Sequence, residues 1–138
     1  MKYSRQRELI YKTVMEHPIH PSADTVYALV RKEHPTISLG TVYRNLNLLV
    51  REGLLQKISF PNVSDHFDGK LEKHCHILCE QCGQVYDIDS PCLDIAALQK
   101  APCHFQLTGC HIYFTGICET CLSQQKIMLS LESEEKIQ

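Results

Sequence analysis

The stretch Ser38-Leu39-Gly40-Thr41-Val42-Tyr43-Arg44-Asn45-Leu46-Asn47-Leu48-Leu49-Val50 runs to Gly53 and then into Leu54-Leu55-Gln56-Lys57-Ile58-Ser59-Phe60, and its period changes on the way. The first part sets Val42, Leu46 and Leu49 on one stripe at helical spacing, with Ser38 at the N-terminal end and Gly53 as the stop. The second part alternates as a strand does. Pro61-Asn62 signals a turn, and His66-Phe67-Asp68 a returning strand. Thr41, Tyr43, Arg44 and Asn47 are left on the outward face of the helix.

Two helices precede this segment. From Ser4 to about Glu16, Leu9, Ile10, Val14 and Met15 lie near one face, and His17-Pro18 ends the run. The next starts at Pro21-Ser22 with Ser22 as N-cap and Asp24 in the first turn; it carries Val26, Tyr27, Leu29 and Val30 inward and stops before Pro35. Three helices followed by a two-stranded ribbon form a winged helix-turn-helix, in which the third helix enters the major groove by its N-terminal part and the ribbon lies along the backbone. A pure packing role for the third helix is the alternative. Charge supports the first reading: residues 1–60 carry +4 and residues 61–138 carry −6, as a polyanion-binding front with a separate rear would. A chance distribution of surface charge is the other account. Phosphate anchors are then expected at Lys2, Arg5, Arg7, Lys12 and Lys57, with Tyr43 and Arg44 nearest the bases.

All eight cysteines fall at or beyond Cys75, so composition splits near residues 61–73. An α+β fold follows, with a winged-helix domain over 1–68 and a small α/β domain over 69–138. The rear reads as strands at Cys75–Leu78, Gln84–Ile88 and His111–Thr115, helices near Leu93–Lys100 and Leu122–Leu131, and a loose tail from Glu132 to Gln138. No apolar run is long enough to cross a membrane, and Met1–Arg7 leads into an amphipathic stretch rather than a signal core. The chain is therefore expected in the cytoplasm, where thiols stay reduced and clustered cysteines favour metal over a disulfide framework. Neither a membrane nor a small organic substrate is implied as a partner. Cys79-Glu80-Gln81-Cys82 and Cys118-Glu119-Thr120-Cys121 are two Cys-x-x-Cys pairs. Together they can close a tetrahedron of four sulfur donors around zinc, leaving no open position, so the site is structural.

A second constellation has other donors. His74-Cys75-His76 alternates in a strand, which turns both imidazoles to one face; Asp87 lies on the neighbouring strand, and His20 and Asp68 lie upstream. Three nitrogens and two carboxylates favour a first-row divalent ion such as iron or manganese. The alternative is a scatter of unrelated surface groups, because His20 and Asp68 are not local to the others. An enzyme, a metal hydrolase or peroxidase on this site, would leave the basic half and the outward helix face without purpose, so no catalytic residue is assigned. Cys92, Cys103 and Cys110 are surplus thiols, read as small packing residues or else as a thiol redox or further metal site. The role of Cys75 stays open. His17, His34, His66, His104 and His111 are read as ordinary histidines.

With these residues in hand, the sequence resembles the ferric uptake regulator (Fur) family, and within it the peroxide-responsive PerR branch. The likeness spans roughly Arg5 to Leu122. It rests on His20-Pro21-Ser22-Ala23-Asp24, Thr41-Val42-Tyr43-Arg44-Asn45-Leu46, Phe67-Asp68, His74-Cys75-His76-Ile77-Leu78-Cys79-Glu80-Gln81-Cys82-Gly83 and Cys118-Glu119-Thr120-Cys121. The resemblance implies a homodimeric repressor on a palindromic duplex operator. It implies structural zinc on Cys79, Cys82, Cys118 and Cys121, and a regulatory iron or manganese on His20, Asp68, His74, His76 and Asp87. Asp87 selects the branch, since relatives that sense iron usually carry Glu there. In the peroxide branch iron reacts with hydrogen peroxide, and by position His20 and His74 are the residues oxidised; manganese in the same site gives an insensitive form. The alternative within the family is an iron- or zinc-uptake regulator. DNA contacts are carried over to Thr41, Tyr43, Arg44, Asn47, Arg5 and Lys57. Lys73 and Cys75 stand where many iron sensors offer ligands for a third metal, so no third site is expected. The leading arm is short, and Arg44 replaces an Asn found in some peroxide regulators.

Overall fold

The structure, a computed structural model, describes residues 2, 4–17, 19–72, 74–88, 104 and 112–136. The helix expected near Leu93–Lys100, the thiols Cys92, Cys103 and Cys110, Lys73, and His111 at the start of the last expected strand lie outside the described residues. The chain divides into two compact units, Met1–Lys73 and His74–Gln138.

The first unit opens with three helices, α1 (Arg5–Glu16), α2 (Ala23–Glu33) and α3 (Leu39–Arg51). Each begins at a serine whose hydroxyl accepts the amide three residues on: Ser4 from Arg7, Ser22 from Thr25 and Ser38 from Thr41, at 3.4, 3.2 and 3.1 Å. This satisfies amides that a helix start otherwise leaves unpaired. Gly53, at φ 74°, turns the chain out of α3 in the left-handed region that glycine tolerates best. Ile10, Val14, Val26, Val30, Val42, Leu46 and Leu49 meet in one buried cluster with Leu55 and Phe67. Each such side chain contributes roughly 1.5–3 kcal/mol by leaving water. Met15, expected on the inner face, is instead exposed; its sulfur lies over Gly69. Tyr27 and Leu29 are half-buried.

Strand β1 (Gln56–Ile58) is shorter than the alternating sequence predicts. It pairs antiparallel with β2 (His66–Asp68), Gln56 facing Asp68. Asn62 turns the ribbon at φ 61°. The other edge of β2 is also used: Ser22 bridges His66, and the Phe67 amide donates to the Pro21 carbonyl at 2.9 Å. That antiparallel register sets His20 opposite Asp68. The unit is thus a winged helix-turn-helix whose ribbon carries the segment before α2 as a third, short edge.

The second unit contains β3 (Cys75–Cys79), β4 (Val85–Ile88), β5 (Phe114–Gly116) and α4 (Glu119–Glu135). The sheet order is β4-β3-β5, with β3 and β4 antiparallel and β3 and β5 parallel. His76 faces Asp87, and buried Leu78 faces buried Val85. The last strand lies at 114–116 rather than 111–115. Helix α4 begins earlier than expected and runs through Glu135, so most of the expected loose tail is helical. Among the described residues no helix is long and apolar enough to cross a membrane.

Candidate metal centres and nucleic-acid interface

The four thiols come from two ends of the same local architecture. Cys79 ends β3, and the chain turns at Glu80–Gly83, with the Cys79 amide donating to the Gln84 carbonyl and the Gly83 amide to the Cys79 carbonyl, both at 2.9 Å. Gly83 makes this turn at φ 75°. Cys118 caps α4 and Cys121 sits in its first turn, where the helix N-terminus favours negative charge. The Glu80 amide donates to the Gly116 carbonyl at 2.9 Å and ties the two knuckles through β5.

All four sulfurs lie within 4.8 Å of one another, and the Cys79–Cys121 and Cys82–Cys118 pairs are 3.9 Å apart. A disulfide would need about 2.05 Å. A tetrahedron with metal–sulfur bonds of about 2.3 Å has edges of about 3.8 Å, so the spacing fits a four-thiolate zinc site. The electrostatics fit too. The amides of Cys118 and Cys82 donate to the Cys79 sulfur at 3.4 and 3.5 Å and lower its pKa to about 6. The amide of Cys121 likewise holds the Cys118 thiol below its usual range. Cys121 moves the other way, up to about 12, through its bond to the Cys118 sulfur and its burial. Cys79 is thus biased toward its thiolate, and ligation of a cation displaces protons from the other thiols to solvent.

The nitrogen and carboxylate donors fall into two groups, one in each unit. In the first, His20 Nδ1 lies 3.5 Å from Asp68 Oδ1, and the same oxygen accepts the Lys70 amide at 2.8 Å. The β2 edge register described above creates this pair from residues 48 positions apart. In the second, Asp87 Oδ1 lies 3.1 Å from His74 Nε2 and 3.4 Å from His76 Nε2, and the two rings stand 4.4 Å apart, edge to face. Strand alternation brings both imidazoles to one side, and the β3–β4 register puts Asp87 between them. Each group offers imidazole nitrogen and carboxylate oxygen, a donor set that suits iron or manganese. His66, read from sequence as ordinary, is buried in β2; burial lowers its pKa, and its Nδ1 has no hydrogen-bond partner among the described residues.

On α3, Tyr43, Arg44 and Asn47 are exposed and Thr41 is half-buried. The Arg44 guanidinium donates to the Thr41 hydroxyl at 3.1 Å. Arg5 is exposed on α1, and Lys57 on β1 has Asp65 3.9 Å away. Two polar residues escaped the sequence reading. Asn45 is buried in α3, and Arg7, expected to hold a phosphate, bonds to it instead, Nε donating to Asn45 Oδ1 at 3.1 Å. The signal was available: Asn45 is three residues from Val42, and Arg7 three from Ile10, so both lie beside the apolar stripes.

The comparisons with known proteins agree with this architecture. The profile of the ferric uptake regulator family matches residues 1–115. The peroxide-responsive repressor PerR of Staphylococcus aureus (strain USA300) is 30% identical over 122 residues, covering 88% of this chain and 82% of that protein. The Helicobacter pylori ferric uptake regulator Fur, whose structure reveals three functional metal-binding sites, has a TM-score of 0.71 at 23% identity, over 88% of this chain and 83% of that one. For the Campylobacter jejuni peroxide stress regulator the TM-score is 0.58 and the identity 30%, over 84% and 88%. The profile spans α1 to α3, the ribbon and the β3–β4 pair, and with that span and 30% identity to a curated relative the chain belongs to the ferric uptake regulator family.

Proposed function

We propose that this chain is a cytoplasmic, homodimeric, metal-dependent repressor that binds a palindromic duplex operator and lets go when hydrogen peroxide oxidises a ligand histidine. The carrying observation is Asp87, whose single carboxylate oxygen lies within reach of both His74 and His76. Identity with PerR of Staphylococcus aureus supports the choice of signal.

On this reading Cys79, Cys82, Cys118 and Cys121 hold a structural zinc, and His20, Asp68, His74, His76 and Asp87 together hold a regulatory iron or manganese. His20, Asp68, His74, His76 and Asp87 would hold the iron, which would supply the redox activity that lets peroxide react there. In net balance the two electrons that reduce peroxide would come from the imidazole of His20 or His74, which would gain one oxygen atom while the other leaves as water, and the ring would be spoiled as a ligand. Each site reacts once, so the protein acts as a regulator and not as an enzyme. Asp68, fixed by the Lys70 amide, and Asp87, fixed between two rings, orient the imidazoles. Metal loading selects the pose in which two readers match two operator half-sites; it adds no new DNA-binding surface. Tyr43, Arg44 and Asn47, with Thr41, face the bases, and Arg5 and Lys57 face phosphates.

The test is operator binding by the iron(II) protein before and after peroxide, with the manganese(II) protein as control, and peptide mass spectrometry of the segments carrying His20 and His74. Release from DNA with a gain of one oxygen atom, in the iron form alone, is expected. Iron-loaded protein that keeps its operator and its histidines would sink the peroxide reading. A response to metal abundance alone would assign an uptake regulator.

A further inference from the structure

We infer that Arg7 is a positioning residue for the reader helix, tying the leading arm to α3 through Asn45, and not a phosphate contact. The inference rests on the reading that α3 meets duplex DNA. Four links run in series. Arg7 Nη1 donates to the Lys2 carbonyl at 2.6 Å, and Arg7 Nε donates to Asn45 Oδ1 at 3.1 Å. Asn45 Nδ2 donates to the Thr41 carbonyl at 2.9 Å, and the Thr41 hydroxyl accepts from Arg44 at 3.1 Å. The chain therefore connects the arm to the side chain placed nearest the bases.

Burial gives the connection its force. Asn45 is only 9% exposed, among Val42, Leu46 and Leu49, where an unpaired amide would be costly. Both ends of that amide are engaged, which fixes which atom is oxygen and which is nitrogen. An apolar residue would pack at this place with no need of Arg7, so the polar pair sets orientation and adds little core. Arginine suits the role because its planar fork holds two acceptors in fixed directions, which a lysine ammonium does not. Two of its nitrogens are committed to neutral acceptors inside the unit, whereas Lys2, Arg5, Lys12 and Lys57 are turned to solvent.

The experiment uses the full-length, zinc- and manganese-loaded protein and a duplex selected from a random pool by the wild type, with a scrambled duplex as control. Affinity is measured over a salt series for wild type, Arg7→Gln, Asn45→Ala and the double variant, at a temperature where unfolding curves show each to be folded. Each single variant should lower the ratio of selected to scrambled affinity about tenfold, equivalent to about 1.4 kcal/mol. The double variant should fall no further, and the slope of log affinity against log salt should not change. A slope shallower by about 0.9 per protomer would make Arg7 a phosphate contact and overturn the inference. An unchanged ratio in both single variants would reduce the pair to a stabilising contact and overturn it equally. Wild type that binds no duplex would bring down the reading beneath it, a failure visible before any variant is made.

Discussion

Loading the thiol cluster with zinc should release about two to three protons at pH 7, because four thiolates must form from thiols that start unequally ionised. Cys79, at about 6, is already about nine-tenths ionised at that pH. Cys121, at about 12, keeps its proton, and Cys82, raised above the usual thiol value by burial and by its sulfur neighbours against the pull of the Gln84 amide, keeps its own. Cys118, held low by the Cys121 amide, contributes a fraction. The sign follows: protons leave as the ion binds, so acid opposes binding, and log affinity climbs with pH by about two to three per unit near neutrality. Below pH 6 Cys79 also becomes protonated, and the dependence steepens by about one more. Titration calorimetry in two buffers of different ionisation enthalpy counts the protons; chelator competition from pH 6 to pH 8 gives the slope. Release of one proton or none would refute ligation by four cysteines, and release of four at pH 7 would refute the preformed thiolate at Cys79.

Gly83→Ala should cost about 1–2 kcal/mol in the zinc-loaded protein, read as a lower unfolding midpoint, since an added Cβ meets nothing within 4 Å and the whole penalty is the left-handed backbone at φ 75°. Arg44→Ala should weaken operator binding by about 1–3 kcal/mol and scrambled-duplex binding by less; equal losses on the two, in a fluorescence titration, would show that Arg44 touches only backbone.

Much of the architecture was legible because its signals are local. Ser4, Ser22 and Ser38 mark three helix starts by the same hydroxyl–amide bond, and the stripe Val42, Leu46, Leu49 follows helical period. The two Cys-x-x-Cys pairs announce their knuckles by spacing alone. The failures that bear on the ligand groups are long-range. Nothing periodic marks His20-Pro21-Ser22 as a strand, and Pro21 offers the β2 edge only a carbonyl, so the pairing that brings His20 to Asp68 leaves no trace in composition. The parallel pairing of β3 with β5 joins segments separated by residues 80–113, and strand alternation fixes which face a residue takes, not which neighbour it finds. Charge alone reads Arg7 as solvent-facing and leaves its bond to the buried Asn45 amide out of view.

The division of ligands bears on how a signal would travel. His74, His76 and Asp87 are brought together by one strand pair, and His20 and Asp68 by one β-bridge, each within its own unit. On the proposed reading, three donors from one unit would hold a cation in any pose, so only the donors from the first unit would make binding depend on pose, and differential affinity is what shifts a population. Moving a pose from 1:99 to 99:1 takes about 5.5 kcal/mol of such difference. That share falls on His20 and Asp68. Oxidation of His20 should therefore uncouple DNA release from metal loss, the cation staying on His74, His76 and Asp87, whereas oxidation of His74 should abolish both together.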